Sequence, residues 1–532
     1  MPAGQLLAVP TTGPLAAAPV TSVRAANRGR PSAADGTPEQ VHLTWGSDPA
    51  RSVVVSWASP GQAEAPRVRI GQRVIPAIER GHAGGVSGEV SWTYHALVDG
   101  LRPGGTYGYA VTADNDRNAA DPFSATFRTA PQGRAAFRFT SFGDLATPNA
   151  RWASSSGQSA YAVGAVETFQ PLFHLLNSDL ADGDPAPAAQ SRVWRDFGNN
   201  IQASAASRPW MPVPGDHGVE YLAKYSLPDN GLPEFAGRWY GFRIGTVAFI
   251  CLSGDDVADA GARPFPVGIA PLVPTPATGN PPVAPAASRY PRGYSGGAQT
   301  RWLEATLAAA RRDSSIDWIV VGFHQCACSS SSAGREPEPG LGIRREWLPL
   351  FDRYEVDLVL CGHGQGYERS FPVRGVDSAD SLRPHPVTTT DSGVFDTSQG
   401  TVHLVLSCGG EANPAATATA ATATAAAATA TATSAATATA AATGAPAAVL
   451  WSARRDTATG YGVAVFDVNP GAEAGGQTSI TVRYYHAVDA DPAQGIPTDD
   501  YVLFETFTVV RPRSDGRRWH PKEPPSARRA TT

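Results

Sequence analysis

Two different periods of apolar residues run along this chain, and they divide it. Over residues 40–131 apolar side chains fall on every second position: Val41, Leu43 and Trp45, then Val53, Val55 and Trp57. Turn clusters such as Asp48-Pro49 and Ser59-Pro60-Gly61 separate them. Short alternating strands broken by such turns predict an antiparallel β-sandwich. From Phe137 onward the pattern changes to compact apolar runs that alternate with helical spacing. Runs at 137–142, 173–177, 211–214, 318–322 and 358–361 read as buried strands. Trp302, Leu303, Leu307 and Ala310 share one face of a predicted helix over 300–312, and a second helix is predicted over 344–354. Strand patterns return at 461–468 and 480–485. The fold class is therefore α/β, with an N-terminal β-sandwich followed by a layered domain.

The segments between these patterns complete the organisation. Residues 1–37 are rich in Ala, Pro, Thr and Gly, and read as a disordered leader. No charge precedes Val9, and Pro10, Pro14 and Pro19 interrupt the weak apolar stretch, so a secretory signal is not evident. Residues 38–131 form the sandwich. The layered domain takes 132–412 and 447–512, with an Ala/Thr low-complexity insertion at 413–446 between them. Alternating Ala and Thr offers no apolar face to bury, so that insertion reads as flexible. Residues 513–532 read as a disordered polar tail.

Composition narrows the function. The 532 residues are 42% apolar and 17% charged, enough for a large core and more than one domain. A net charge of -5 gives no nucleic-acid footprint, and no apolar run is long enough to span a membrane. The five cysteines, Cys251, Cys326, Cys328, Cys361 and Cys408, lie in or beside apolar runs and read as buried free thiols; one bridge is the alternative. They do not indicate a compartment.

Candidate chemistry lies where the strands of the second half end. Read in order, those ends are Gly143-Asp144, Asp179, Gly215-Asp216-His217, His324 and Gly362-His363-x-Gln365. Ligands of open α/β sheets bind outside the carboxyl ends of the strands. Asp and His gathered there can hold two metals about 3.5–4 Å apart. Asp255 and Asp256 follow another strand and read as caps of the next element, with a ligand-supporting role as the alternative.

These ends and their flanks resemble the purple acid phosphatases of the metallophosphoesterase superfamily, in a bacterial form with an N-terminal fibronectin type III-like domain. The supporting text includes PEQVHLTWG at 38–46, RPWMPVPGDH at 208–217, RGYSGGAQTRWLEATLAAAR at 292–311 and LGIRREWLPLFDRY at 341–354. The resemblance implies a layered α/β/β/α catalytic domain, secretion or cell-surface location, and a small phosphate-ester substrate. The family motifs are GDxG, GDxxY, GNH[ED], VxxH and GHxH. Asp144, Asp179, His217, His324 and His363 match them. Ala146, Ser178, Asp182, Asp216, Gly218 and Gln365 stand where the family has Gly, Gly, Tyr, Asn, an acid and His.

By that resemblance the first metal takes Asp144, Asp179, Asp182 and Gln365, with neither imidazole nor phenolate. The second takes Asp179, Asp216, His324 and His363. Two metal ions are implied, Fe, Zn or Mn, with the first site shifted toward Mn or Mg, or empty, because an all-oxygen set suits hard cations. The implied reaction is hydrolysis of a phosphate monoester by a hydroxide that the metals activate, with His217 as the catalytic residue at a phosphate oxygen or the leaving group. The alternative is a catalytically impaired relative with a degraded first site, acting as a binding or surface protein. Tyr367, Glu368 and Arg369 match the family's YER and read as loop anchors.

Overall fold

The computed structural model describes residues 35–83, 90–145, 147, 158–177, 190–214, 218–257, 293–330, 340–363, 366–376, 382–409, 449–456, 461–491, 496–516 and 519–521. The leader up to residue 34 and the whole 413–446 insertion lie outside them.

The alternating segment forms two antiparallel four-stranded sheets. One runs Glu39–Trp45, Val53–Ser59, Val90–Val98, Ile78–Ala83, and the other Arg73–Pro76, Arg67–Ile70, Thr106–Thr112, Phe123–Arg128. Val41, Leu43, Val55, Trp57, Tyr94 and Ala96 of the first sheet meet Val68, Tyr109, Val111 and Phe127 of the second in one buried cluster. Every second residue faces the sandwich core, while the intervening His42, Thr44 and Ser56 of the first two strands are buried as well.

The second half is built on two seven-stranded sheets. The first runs Trp210–Pro212, Phe173–Leu176, Phe137–Phe142, Gly462–Asn469, Gln477–Asp491, Ile496–Pro512, Val394–Asp396. The second runs Tyr240–Ile244, Val247–Cys251, Trp318–Phe323, Leu358–Cys361, Val402–Ser407, Gly366–Ser370, Ser452–Asp456. Strands of the second sheet bury both faces, and alternate residues serve different cores. Trp318 and Val320 join the cluster between the sheets, while Ile319, Val321 and Phe323 pack outward against Leu303, Leu307 and Ile343. Between the sheets, Phe139 stacks on Phe466 at 4.3 Å and meets Phe249 edge-on at 5.2 Å. Helices Gln158–Phe169 and Gln190–Ala205 lie on the outer side of the first sheet. Helix Ala298–Arg312 covers the second. The order of layers is α/β/β/α, as expected.

Two expectations change. The helix predicted over 344–354 is split into Leu341–Glu346 and Leu348–Arg353 at Trp347. Pro349 lies in the first turn of the second helix, where its missing N–H costs no intrahelical bond, so the pattern restarts rather than continues. The sequence after residue 512 predicts a disordered polar tail. Its described residues pack: the Ser514 N–H donates to Asp317 Oδ1 at 2.8 Å, and Trp519 stacks on Tyr354 at 5.6 Å.

Parallel strand pairing fixes where the chemistry can gather. Phe137–Phe142 pairs in parallel with Phe173–Leu176, and Trp318–Phe323 with Leu358–Cys361. Each pair therefore ends on one side of its sheet. Asp357, just ahead of the Leu358–Cys361 strand, is fully buried; its Oδ2 accepts from Arg311 Nη2 at 2.6 Å and the Ile319 N–H at 2.8 Å, and its Oδ1 from Thr397 Oγ1 at 2.6 Å and from Arg511. A paired buried carboxylate with several donors pins the start of the strand whose end carries His363.

Candidate metal centre

Asp144, His324 and His363 come together at the strand ends. The His363 ring nitrogen Nδ1 lies 2.9 Å from His324 Nε2, and the rings cross edge to face at 4.7 Å. The His363 backbone N–H points at Asp144 Oδ1, 3.5 Å away. His324 and Asp144 are buried, whereas His363 is exposed at the mouth.

The backbone at these positions is unusual. Asp144 has φ 56° and His363 φ 54°, in the left-handed region that costs a side-chain-bearing residue free energy. Two of the seven non-glycine residues with positive φ among the described residues are thus expected ligands. Such conformations cost about 1–3 kcal/mol each and concentrate where function requires them. Their neighbours must be glycine for a separate reason. A Cβ on Gly143 would stand 2.4 Å from Asn177 O, and one on Gly362 would stand 2.6 Å from Asn177 O and 2.7 Å from Asp144 Oδ1. The Gly-Asp and Gly-His pairs are what close approach of three strand ends demands.

The loop after His324 is held from several sides. Cys326 Sγ donates to Gly362 O at 2.6 Å, linking the two histidine segments. Gln325 donates to Asp255 Oδ1. Glu368 accepts from the Ser330 N–H and Oγ, both at 2.9 Å. Tyr367 OH and Arg369 Nη2 both reach Glu505, at 2.6 Å each, so the YER segment anchors as expected. Asp256 accepts from Ser295 N–H at 2.8 Å and Gln299 Nε2 at 3.1 Å, so it ties down the approach to helix Ala298–Arg312 but accepts from no helical N–H, and the capping role read for it is not the one it plays. Burial raises its pKa against those bonds. All five cysteines are free and buried, and burial pushes the Cys326 and Cys328 thiols well up, so they stay protonated.

The donor set fits a transition metal in part. Two imidazole nitrogens, each about 2.0–2.1 Å from one ion and at right angles, stand about 2.9 Å apart. That is the separation of His363 Nδ1 and His324 Nε2. Without a cation, one of the two nitrogens must carry a proton toward the other's lone pair; a cation takes that proton's place. Among the described residues no group of three or more His, Cys, Asp or Glu closes around an ion. The remaining expected residues, Asp179, Asp182, Asp216, His217 and Gln365, lie outside the described residues. Sequence reasoning missed Asn177, whose carbonyl crowds both glycines, and Ser407, which donates to Asp144 Oδ2. Neither carries a signal: an Asn and a Ser at strand ends are ordinary turn residues.

Comparison with known proteins identifies the scaffold. Residues 38–130 match the family model described as the purple acid phosphatase N-terminal domain. An uncharacterised protein of Mycobacterium tuberculosis is 37% identical over 508 residues, covering 89% of this chain and 87% of its own. A phosphoenolpyruvate phosphatase of Allium cepa is 24% identical over 396 residues, covering 68% and 69%. The structure of a purple acid phosphatase from yellow lupin (Lupinus luteus) seeds matches with a TM-score of 0.59 at 16% identity, over 90% of this chain and 75% of that one. Two facing seven-stranded sheets, a histidine pair at adjacent strand ends and these relatives agree: this chain belongs to the purple acid phosphatase family.

Proposed function

We propose that this protein is a metal-dependent acid phosphatase that hydrolyses phosphate monoesters. The observation that carries the reading is the 2.9 Å approach of His324 Nε2 to His363 Nδ1, beside Asp144, at the ends of neighbouring strands. When bound, two metal ions supply Lewis acidity there, making a nucleophile of water at moderate pH and offsetting charge on the phosphate oxygens. His324 and His363 would hold one ion through two imidazole lone pairs, together with Asp216 and Asp179. Asp144 would hold the other with Asp179, Asp182 and Gln365, an oxygen-only set suited to Mn or Mg. His217 binds a phosphate oxygen or carries the proton to the leaving group. Catalysis on a phosphoryl group is mostly positioning and charge stabilisation, which suits ligands on strand ends pinned from behind.

Phosphate release from an aryl phosphate tests this, across pH and with added Fe, Zn, Mn or Mg, with Asp179→Asn alongside. Turnover that requires a metal and vanishes in the variant is expected. A folded protein that is inert with every metal overturns the reading in favour of an impaired relative that has kept the fold.

A further inference from the structure

A second polar contact joins the two sheets at the same strand ends. His486 Nδ1, on strand Gln477–Asp491 of the first sheet, lies 2.7 Å from Oδ2 of the buried Asp456, which ends strand Ser452–Asp456 of the second. Pairing register sets its level. Ser141 pairs with Ala464 and Gly462 with His486, so His486 stands level with Gly143, two strand spacings or about 10 Å away. On the second sheet Gly366 pairs with Ser407, and Tyr367 with Asp456. At this end the gap between the sheets is therefore bounded by Asp144 on one side and by the Asp456–His486 pair on the other.

Above that pair the chain builds a wall. Strands Gln477–Asp491 and Ile496–Pro512 remain paired as far as Asp491 and Ile496, about 16 Å past His486 at the rise of an extended strand. At the foot of the wall Val502 pairs with His486 and shares its face. The Phe504 ring lies 5.5 Å from the imidazole, with the Arg454 guanidinium 5.0 Å from that ring. Val502 is 49% exposed, and Leu503 beside it equally so. Leu503 pairs instead with Tyr485, whose ring meets Phe169 on the outer side of the sheet, so the two apolar residues face opposite ways.

We propose that the foot of this wall is the leaving-group subsite: His486, Val502 and Phe504 receive the alcohol part of the phosphate ester, and aryl and other apolar esters are the preferred class. This rests on the phosphatase reading above. A phosphate bound beside Asp144 leaves its alcohol part in the gap. There it faces a phenyl ring, an open valine and an imidazole whose orientation a buried carboxylate fixes. Covering Val502 removes apolar surface from water, and contact with the two rings adds to that gain. A small polar alcohol gains neither and must give up water at an apolar wall. Apolar contacts of this size discriminate between substrates by about 10–200-fold.

The test compares kcat/KM for phenyl phosphate and glycerol 2-phosphate in the full chain, with each of Fe, Zn, Mn and Mg. Wild type, Val502→Ser, Val502→Leu and Leu503→Ser are used. Calorimetric binding of phenylphosphonate and methylphosphonate to the same four proteins reads the preference even without turnover. Wild type, Val502→Leu and Leu503→Ser should favour the phenyl compound by about tenfold or more, and Val502→Ser should lose most of that preference. A wild type without preference, or a preference that Val502→Ser retains, overturns the subsite; phosphate release in the same assay leaves the phosphatase reading standing. A loss in Leu503→Ser as large as in Val502→Ser also overturns it, because the two faces of the strand would then be equivalent. Phenyl preference in binding, from a protein that turns over neither ester with any metal, supports the subsite and overturns the phosphatase reading. Neither turnover nor binding overturns both.

Discussion

At the contact between the sandwich and the layered domain, His42 and His95 end on main-chain oxygens; at the strand ends, His324 and His363 end on each other. His42 places Nδ1 2.7 Å from Gln40 O and Nε2 3.0 Å from Lys224 O. His95 places Nε2 3.0 Å from Ala223 O, and its Nδ1 meets Ser56 Oγ at 2.8 Å. Ala223 and Lys224 end helix Gly218–Lys224, so each ring braces with its Nε2 the element that follows Asp216-His217 in the chain. His42, His95 and His324 are all nearly inaccessible and only His363 is exposed, so burial of a ring does not by itself mark it as structural. What the ring nitrogens meet does. A carbonyl fixes an N–H and gives a structural histidine, whereas a second ring nitrogen leaves lone pairs converging on a point where a cation fits.

The largest effect expected from this contrast is on metal content. His324→Ala or His363→Ala should cost more metal affinity than the roughly 10–100-fold typical of outer partners, and abolish phosphatase activity. His42→Ala and His95→Ala should leave the metal count at the wild-type value while lowering stability by about 1–3 kcal/mol, because a buried hydrogen-bonding group loses its partner. Metal analysis and urea unfolding of all four variants check both halves. Metal lost from a His42 or His95 variant that remains folded would break the comparison.

The second expectation concerns acid. Burial lowers the His42 pKa from 6.5 to about 4, against its two carbonyl bonds and with help from Lys224. Burial, then the charge of Arg80, lowers His95 to about 3. The folded pKa is depressed in both, so the unfolded chain binds more protons between these values and pH 6.5. Their contribution to stability is therefore whole above pH 6.5 and is lost as pH falls toward 4 and then 3. For His42 the loss is on the order of 3 kcal/mol. Urea unfolding at pH 7, 5 and 4 should show it, and His95→Gln should flatten part of the slope. A wild type equally stable at pH 7 and pH 4 would show that these rings are not neutral and buried in solution.

A spectroscopic expectation follows from the first site. Asp182 and Gln365 stand where the family has a tyrosine and a histidine, and the family's colour arises from tyrosinate bound to iron. Iron-loaded protein should lack that visible band. Its appearance in an absorption spectrum would mean that another tyrosine reaches the first site, and would narrow the difference between the two metals.

Much of this was legible in the sequence, for identifiable reasons. Asp144, His324 and His363 stood out because each ends an apolar run, and parallel pairing then forces such ends to one side. The alternation of Trp318 to Phe323 between two cores followed from a run apolar at every position. Ser407 was invisible because its role depends on a pairing with Gly143 across more than 250 positions of chain. His42 and His95 lay in plain strands, and nothing local marks a ring that will meet a carbonyl far along the chain. The break at Trp347 could have been read from Pro349, which outranks the helical spacing around it.

The smallest expected effect sharpens the contrast where a carboxylate rather than a histidine is concerned. Asp256 sits close in sequence to the loop that pairs with Gln325, and as a ligand-supporting residue it would have to influence His324. Its bonds go instead to Ser295 and Gln299, at the entry to helix Ala298–Arg312, and Gln299 in turn donates to Ser253 O at 3.0 Å. Asp256→Asn keeps the shape and one acceptor oxygen, so the cost should be that of a weakened buried hydrogen bond, about 1 kcal/mol. Burial raises the pKa of this carboxyl, so the folded protein takes up the proton at higher pH than the unfolded chain does, and the advantage of Asp over Asn should grow as pH falls. Thermal melting at pH 7 and pH 5 measures that, with metal content determined on the same samples. Unchanged metal with a small, pH-dependent loss of stability would assign Asp256 to the helix. A fall in bound metal would move it to the centre, and would mean that the bonds made by a carboxylate behind a ligand loop are a poorer guide to its role than those made by a ring.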